Sequence, residues 1–263
     1  MLPPIDIAYI NLEIRSLCDD LAQRYADAGS DADPTLAPDP AELCDGLQRV
    51  LVALADLGAR LPLHPPSLEG RPEGTVAARA DATGTPGIDT LCNHGIDLLA
   101  RLSGLAGRLG LPQHAHRIEA LTLPLACWGA RRGGELSQPA PVVNAAGALA
   151  NRLKAPDALA ELHGLMSEVV DALSPQVTQD SDETDATRPW RVLLLNRAIV
   201  ATRSHRPDLM ETAFSAVVEA LPRDAPEFFL EALGQMEALN YPPQVREVVQ
   251  RYADTWCTRR ILH

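Results

Sequence analysis

Few residues in this chain could do chemistry. Two pairs carry ligand-type side chains two positions apart: Cys92 with His94, and His114 with His116. On a helix, side chains at i and i+2 point about 200° apart, so neither pair can grip one metal ion there. His114 and His116 could chelate only weakly, and only from the turn before a helix. No GxxxxGK[ST] phosphate loop is present, and Lys154, the single lysine, has no glycine-rich approach. GxSxG and HExxH are also absent. Carboxylates are plentiful, but they fall in linkers or on polar helix faces. Nothing local would hold an acid–base pair in a cleft. No catalytic residue, metal ligand or cofactor-binding residue is assigned on this basis, and no cofactor is expected.

What recurs instead is a polar stripe at a spacing of seven. One segment carries His94, Arg101 and Arg108, a second Asn144 and Asn151, and a third Asn196 and Arg203, with Arg197 beside Asn196. That spacing keeps residues on one helix face. Arg and Asn can bond an extended peptide backbone or hold carboxylates. Asn144, Asn151, Asn196, Arg197 and Arg203 are therefore the candidate partner-binding residues. The competing reading is that every amphipathic helix has a polar face, which these residues simply occupy. Residues 190–200 are apolar nearly all round, so their helix should be buried. Asn196 and Arg197 within it need partners, either internal acids such as Glu219 or Glu231, or a ligand. Trp128 beside Cys127 reads as core packing, or otherwise as a groove wall.

The elements that would position these residues are helices. Ala and Leu supply 39 residues each of the 263, and aromatics only 4%, a composition that favours helix over strand. Ile7, Ile10, Ile14, Leu17 and Leu21 form an a/d seam over 4–27 that can pair within the chain or with a second copy, making a homodimer. Asp39, Pro40 and Glu42 make a helix start, followed by the apolar face of Leu43, Leu47, Val50, Leu51, Leu54 and Leu57. Helices are expected over about 88–109 and 113–131, the latter kinked by Pro124. Six more are expected over about 139–153, 156–173, 189–204, 207–221, 225–239 and 242–257. Asp224 to Glu227 reads as a second capping box. Three stretches lack periodicity and read as linkers: 28–40, the Pro/Gly-rich 61–86, and the acidic 174–188. The expected organisation is an N-terminal helical pair at 1–60, the 61–86 linker, and a repeat domain at 87–263.

Paired, residues 139–173, 189–221 and 225–257 are helical hairpins of roughly 33–35 residues each. In this the chain resembles the TPR-like α-solenoid superfamily in architecture. With Trp190 at the repeat's first aromatic position, the glycine, tyrosine and small-residue positions fall on Leu194, Arg197 and Arg206. The consensus motif is therefore not matched. The resemblance implies an all-α fold with hairpins stacked as a short solenoid; an irregular helical bundle is the alternative.

The net charge of −12 argues against a nucleic-acid partner and against anionic membranes. No stretch reaches the ~18 apolar residues of a membrane span, and the N-terminus lacks the basic region of a secretory signal. The five cysteines have no metal-site spacing and read as small buried hydrophobes in a reducing compartment. Of the 23 basic residues all but Lys154 are Arg, which suggests a GC-rich, bacterial genome. The resulting expectation is a cytoplasmic, non-enzymatic helical-repeat protein that binds another protein or peptide through the Arg/Asn face, as an adaptor, chaperone or assembly factor. The alternative is an all-helical small-molecule-binding or enzymatic domain with an internal pocket.

Overall fold

The computed structural model describes residues 2–28, 39–61, 63, 86–178 and 188–257. Most of each expected linker, at 28–40, 61–86 and 174–188, lies outside the described residues. Among the described residues the structure is helical, with one isolated parallel bridge between Leu136 and Leu173. In chain order the helices are α1 (Ile7–Asp27), α2 (Pro40–Gly58), α3 (Ile88–Arg108), α4 (Pro112–Ala120), α5 (Thr122–Ala130), α6 (Ala140–Arg152), α7 (Pro156–Asp171), α8 (Pro175–Thr178), α9 (Pro189–Arg203), α10 (Pro207–Ala220), α11 (Ala225–Ala238) and α12 (Pro243–Cys257). The all-α class expected from composition is what forms. The single turn of α8 falls inside the stretch read as a linker.

Contacts group the described residues into two units. An N-terminal unit takes those of 2–149 and 168–181, and a C-terminal unit those of 150–167 and 182–263. The division runs through α6 and α7. In the N-terminal unit, Asp6 and Asp39 cap α1 and α2 by accepting from the amides of Ala8 (3.0 Å) and Ala41 (2.8 Å), which satisfies orphan donors of the first turn. The α1 seam of Ile7, Ile10, Ile14, Leu17 and Leu21 is buried within the chain. α1 packs on α2, α4 and α5, while α3 packs on α2, α4 and α5. Composition sets α1 and α2 apart, yet they share a unit with α3 to α5. The proline-rich stretch between α2 and α3 breaks the sequence pattern, whereas burial of Leu47, Leu51 and Leu54 on one side and Leu99 and Leu102 on the other continues across it. At about 25 cal/mol per Å² of apolar surface, that burial is what groups the helices.

Close approach is bought with glycine. A Cβ on Gly129 of α5 would lie 2.7 Å from Cys92 Sγ of α3, and one on Gly58 of α2 would lie 2.5 Å from the Trp128 ring. Trp128 fits against Gly58 and carries the Arg132 guanidinium 3.9 Å over its ring. Its packing is thus core packing.

Three local expectations are corrected. The helix expected over 113–131 is two helices that break at Leu121, not a kink at Pro124. Proline has no N–H, so the Ala120 carbonyl loses its i+4 donor. The Leu121 amide bonds back to Ile118 (3.1 Å), and the Thr122 hydroxyl donates to the Glu119 carbonyl at 2.7 Å. Asp224 makes no side-chain cap bond to α11. Its carboxylate instead accepts a fork from Arg191 of α9, at 2.8 and 2.6 Å. That fork holds the Asp224 carboxyl below the usual carboxylate range. Finally, Cys18 of α1 and Cys44 of α2 form a disulfide, with Cα atoms 6.1 Å apart. Both sit on the facing seams of a helical pair, so the packing that buries them also brings them together.

The C-terminal unit is built on α9 to α12, with α10 packed on α9 and α12, and α11 on α12. All three Phe residues of the sequence are here. Phe214 and Phe229, 5.1 Å apart, both meet Tyr252, and Phe228 packs edge-on against both Phe rings.

Two outcomes follow from this packing. Gly129→Ala should lower the urea midpoint, by about 1–3 kcal/mol of stability, and Cys92→Ala in the same chain should restore part of that loss. Alkylation of the denatured, unreduced protein should label three cysteines (Cys92, Cys127 and Cys257) and leave Cys18 and Cys44 unlabelled until a reductant is added.

Candidate functional site

The sequence-derived partner-binding residues divide between the units. Asn144 lies in the N-terminal unit and is exposed; Asn151, Asn196, Arg197 and Arg203 lie in the C-terminal unit. Asn151 is exposed in the last turn of α6, and Asn196 is half-buried on α9. Arg203 donates from Nη1 to the Ala150 carbonyl and from Nη2 to the Leu153 carbonyl, both at 2.8 Å. These carbonyls close α6, where the last turn has no intrahelical donors. A guanidinium is well placed there, because it supplies two N–H groups and opposes the negative end of the helix. Arg203 and Asn151 are thus brought together, with Arg203 tying α9 to the end of α6.

Arg197 faces inward and is 5% exposed. Its Nη1 donates to the Ser167 hydroxyl of α7 at 3.4 Å, and that hydroxyl donates to the His163 carbonyl at 3.0 Å. His163 is 4% exposed, and its Nε2 has no hydrogen-bond partner. Burial first, and the Arg197 charge second, push the His163 imidazole down to about 4. It is therefore neutral at pH 7, beside a buried cation.

The near-metal pairs separate. Cys92 is buried, and burial pushes its thiol up to about 12, while His94 is exposed. His114 and His116 both lie within α4. His114 Nε2 is 2.9 Å from Asp20 Oδ2, and His116 Nδ1 is 2.6 Å from the Pro112 carbonyl. Burial also raises the Cys127 thiol, so neither core cysteine presents a thiolate. Among the described residues, no three His, Cys, Asp or Glu side chains are placed to hold a metal ion.

A different feature of the N-terminal unit has the geometry of a site. Asn93, on α3, fixes the turn that follows α5. Its amide nitrogen donates to the Asp89 and Glu135 carbonyls, both at 2.7 Å. Its amide oxygen accepts from the backbone N–H of Ser137 (2.9 Å) and Gln138 (3.3 Å). One side chain thus satisfies four backbone groups. The held turn presents Leu136, whose amide donates to Ala172 (2.7 Å) and whose carbonyl accepts from Ser174 (2.9 Å). Ser174 is placed by that short parallel bridge.

Between the first turns of α3, the 135–138 turn and Ser174 lies a cleft of about 470 Å³. Its lining includes Asp89, His94, Asp97, Glu135 and Ser174, with no Arg or Lys. Two of the lining residues each carry a side-chain oxygen that is shielded from water and lacks a hydrogen-bond partner: Asp89 Oδ1 and Ser174 Oγ. Leaving such an atom unpaired costs on the order of 1–3 kcal/mol. In folded proteins unpaired buried polar atoms are rare enough that two at one cleft call for an explanation. Of these residues, only His94 belongs to the stripe read from the sequence. Asn93 is not legible in the sequence because three of its four partners are more than 40 residues away, and the amphipathic pattern of α3 marks it only as polar. Asp89 reads as an ordinary first-turn acid.

Comparison of the chain with protein-family models, curated proteins and solved structures found no match. The fold class and the cleft therefore stand on this chain's own residues.

The buried His163 has a measurable consequence. Its folded-state pKa lies below the value near 6.5 of an unfolded histidine. As pH falls below 6.5 the unfolded chain takes up a proton that the folded chain refuses, so stability is lost between pH 6.5 and about 4. From pH 7 to 5, wild type should lose about 1–2 kcal/mol more than His163→Gln, measured by urea denaturation at each pH.

Proposed function

We propose that this chain is a non-enzymatic binding protein of stacked helical hairpins that recognises another protein or peptide, with the Asn93-framed cleft as its contact point. The observation that carries the reading is the pair of unpartnered acceptors, Asp89 Oδ1 and Ser174 Oγ, on a scaffold held rigid by Asn93. A preorganised polar cleft with unmet hydrogen-bonding capacity suits recognition. The Arg/Asn face enters the proposal in reduced form. Arg203 closes α6 and Arg197 packs against Ser167, which leaves Asn151 and Asn144 as its exposed members. The charge of −12 and the absence of Arg and Lys from the cleft lining disfavour nucleic acid and anionic membrane as partners.

No helix among the described residues is long and apolar enough to cross a membrane. A cytoplasmic location, expected from the cysteines as free thiols, meets the Cys18–Cys44 bond on the other side. Disulfides persist in oxidising compartments, so that bond favours an oxidising location.

The test is affinity capture from native lysate with mass spectrometry, comparing wild type with Asp89→Asn and Ser174→Ala chains of matched stability. A stoichiometric protein held by wild type and released by both variants is the expected result. A partner retained equally by all three would remove the cleft from the contact, and recovery of none would return the chain to the small-ligand reading.

A further inference from the structure

The cleft selects for the chemistry of what enters it. Resting on the reading of the chain as a binding protein, we infer that the cleft receives a guanidinium, the side chain of an arginine in a basic peptide segment of the partner. Charge comes first. Asp89, Asp97 and Glu135 line the cleft without a lining Arg or Lys. Asp97 is paired only through an exposed contact of 3.8 Å with Arg101 of its own helix. The N-terminus of α3 contributes roughly half a positive charge, less than the Asp89 and Asp97 carboxylates of that same helix. An anion is disfavoured further because the Ser137 and Gln138 amides, which could have bound one, are covered by the Asn93 oxygen.

Hydrogen-bonding capacity comes second. The shielded, unpartnered atoms Asp89 Oδ1 and Ser174 Oγ can both accept. Ser174 is 3% exposed, so its hydroxyl is not simply solvated. The two acceptors belong to different chain segments, the first turn of α3 and the residue after the Leu136–Leu173 bridge. Because both atoms are shielded, a ligand meets them only when the Asp89 carboxylate and the Ser174 hydroxyl rotate toward the cleft, and one that meets both needs more than one N–H group. A guanidinium carries five such donors in a fixed plane and sheds water more readily than an ammonium. A bare metal ion is not the match, because no triad of His, Cys, Asp or Glu converges among the described residues. The net charge of −12 adds long-range attraction for a basic segment.

The experiment is titration of the full-length, ¹⁵N-labelled chain with the capped peptide acetyl-Gly-Gly-Arg-Gly-Gly-amide, followed by amide chemical shifts. The controls are the same peptide with citrulline or lysine in place of arginine, and free agmatine. The arginine peptide should shift the amides of residues 89–97 and 174–176. Citrulline, which keeps the shape and loses the charge, should bind at least about tenfold more weakly. Asp89→Asn should weaken the arginine peptide by a similar factor, and Ser174→Ala by less; the shifts should shrink as salt is raised. Both substitutions are near-isosteric, and unchanged amide spectra away from the cleft will show that the fold is intact.

No shift at about 10 mM arginine peptide, a range in which even weak sites respond, would overturn the assignment. Equal binding of the citrulline peptide, or binding indifferent to both substitutions, would do the same. Lysine binding as tightly as arginine would overturn the guanidinium, and agmatine binding more tightly than the peptide would replace a protein segment by a free cation. A partner captured from lysate through Asp89 but lacking any arginine at its contact would overturn this inference and leave the binding function standing.

Discussion

The N-terminal unit depends on what one side-chain amide does. Asn93 has two N–H groups and two acceptor lone pairs, and each is matched to a backbone group: the carbonyls of Asp89 and Glu135, the amides of Ser137 and Gln138. The first of these joins Asn93 to its own helix, and the other three join that helix to a turn more than 40 residues on. Fixing the turn fixes Leu136, whose two backbone hydrogen bonds, one to Ala172 and one from Ser174, place Ser174. Arg131, at the end of α5, adds a second tie by donating from Nε and Nη2 to Glu168 of α7 at 2.8 and 2.9 Å. A turn that carries Gly133 and Gly134 would otherwise sample many conformations.

Much of the fold was legible because its signals are local. The Asp39 cap, the α1 and α2 seams and the helices from α6 onward other than α8 follow from periods and end signals read within a few residues. Where the reading failed, a distant group had competed for the same side chain. Asp224 has the sequence of a cap, but a guanidinium fork is a stronger partner than one backbone amide, and Arg191 reaches it. Cys18 and Cys44 each look like buried apolar residues, and only the pairing of α1 with α2 makes them a disulfide. Pro124 marks a disruption in the sequence, but the break falls at Leu121, the residue after the carbonyl that proline leaves unbonded.

The same competition explains why the candidate site was the least legible part. In a chain whose basic residues are Arg with a single Lys, guanidinium groups serve as structural ties. Arg203 closes α6, Arg131 holds Glu168, Arg191 holds Asp224 and Arg132 covers the Trp128 ring. An Arg at helical spacing therefore carries little information about binding in this protein. A seven-residue repeat of polar residues reports which face of a helix they share, and tertiary packing decides whether that face meets water, another helix or a ligand.

What distinguishes a binding feature from a structural one is then the state of its hydrogen bonds. Arg203 and Asn93 are matched to partners and need nothing from outside. The cleft is unlike them: its charge is mostly of one sign, its backbone amides are already engaged, and two shielded acceptors remain unmet. Folding alone would favour an apolar pair of similar size at those two positions, because an unmet polar atom destabilises the folded chain. Asn11 Oδ1, Arg132 Nε and Trp190 Nε1 are shielded and unpartnered as well, so an unmet atom by itself marks no site; Asp89 and Ser174 differ in lining one cleft together. On that reasoning the proposed contact is placed on Asp89 and Ser174, neither of which stands out in the sequence, rather than on the arginines that do.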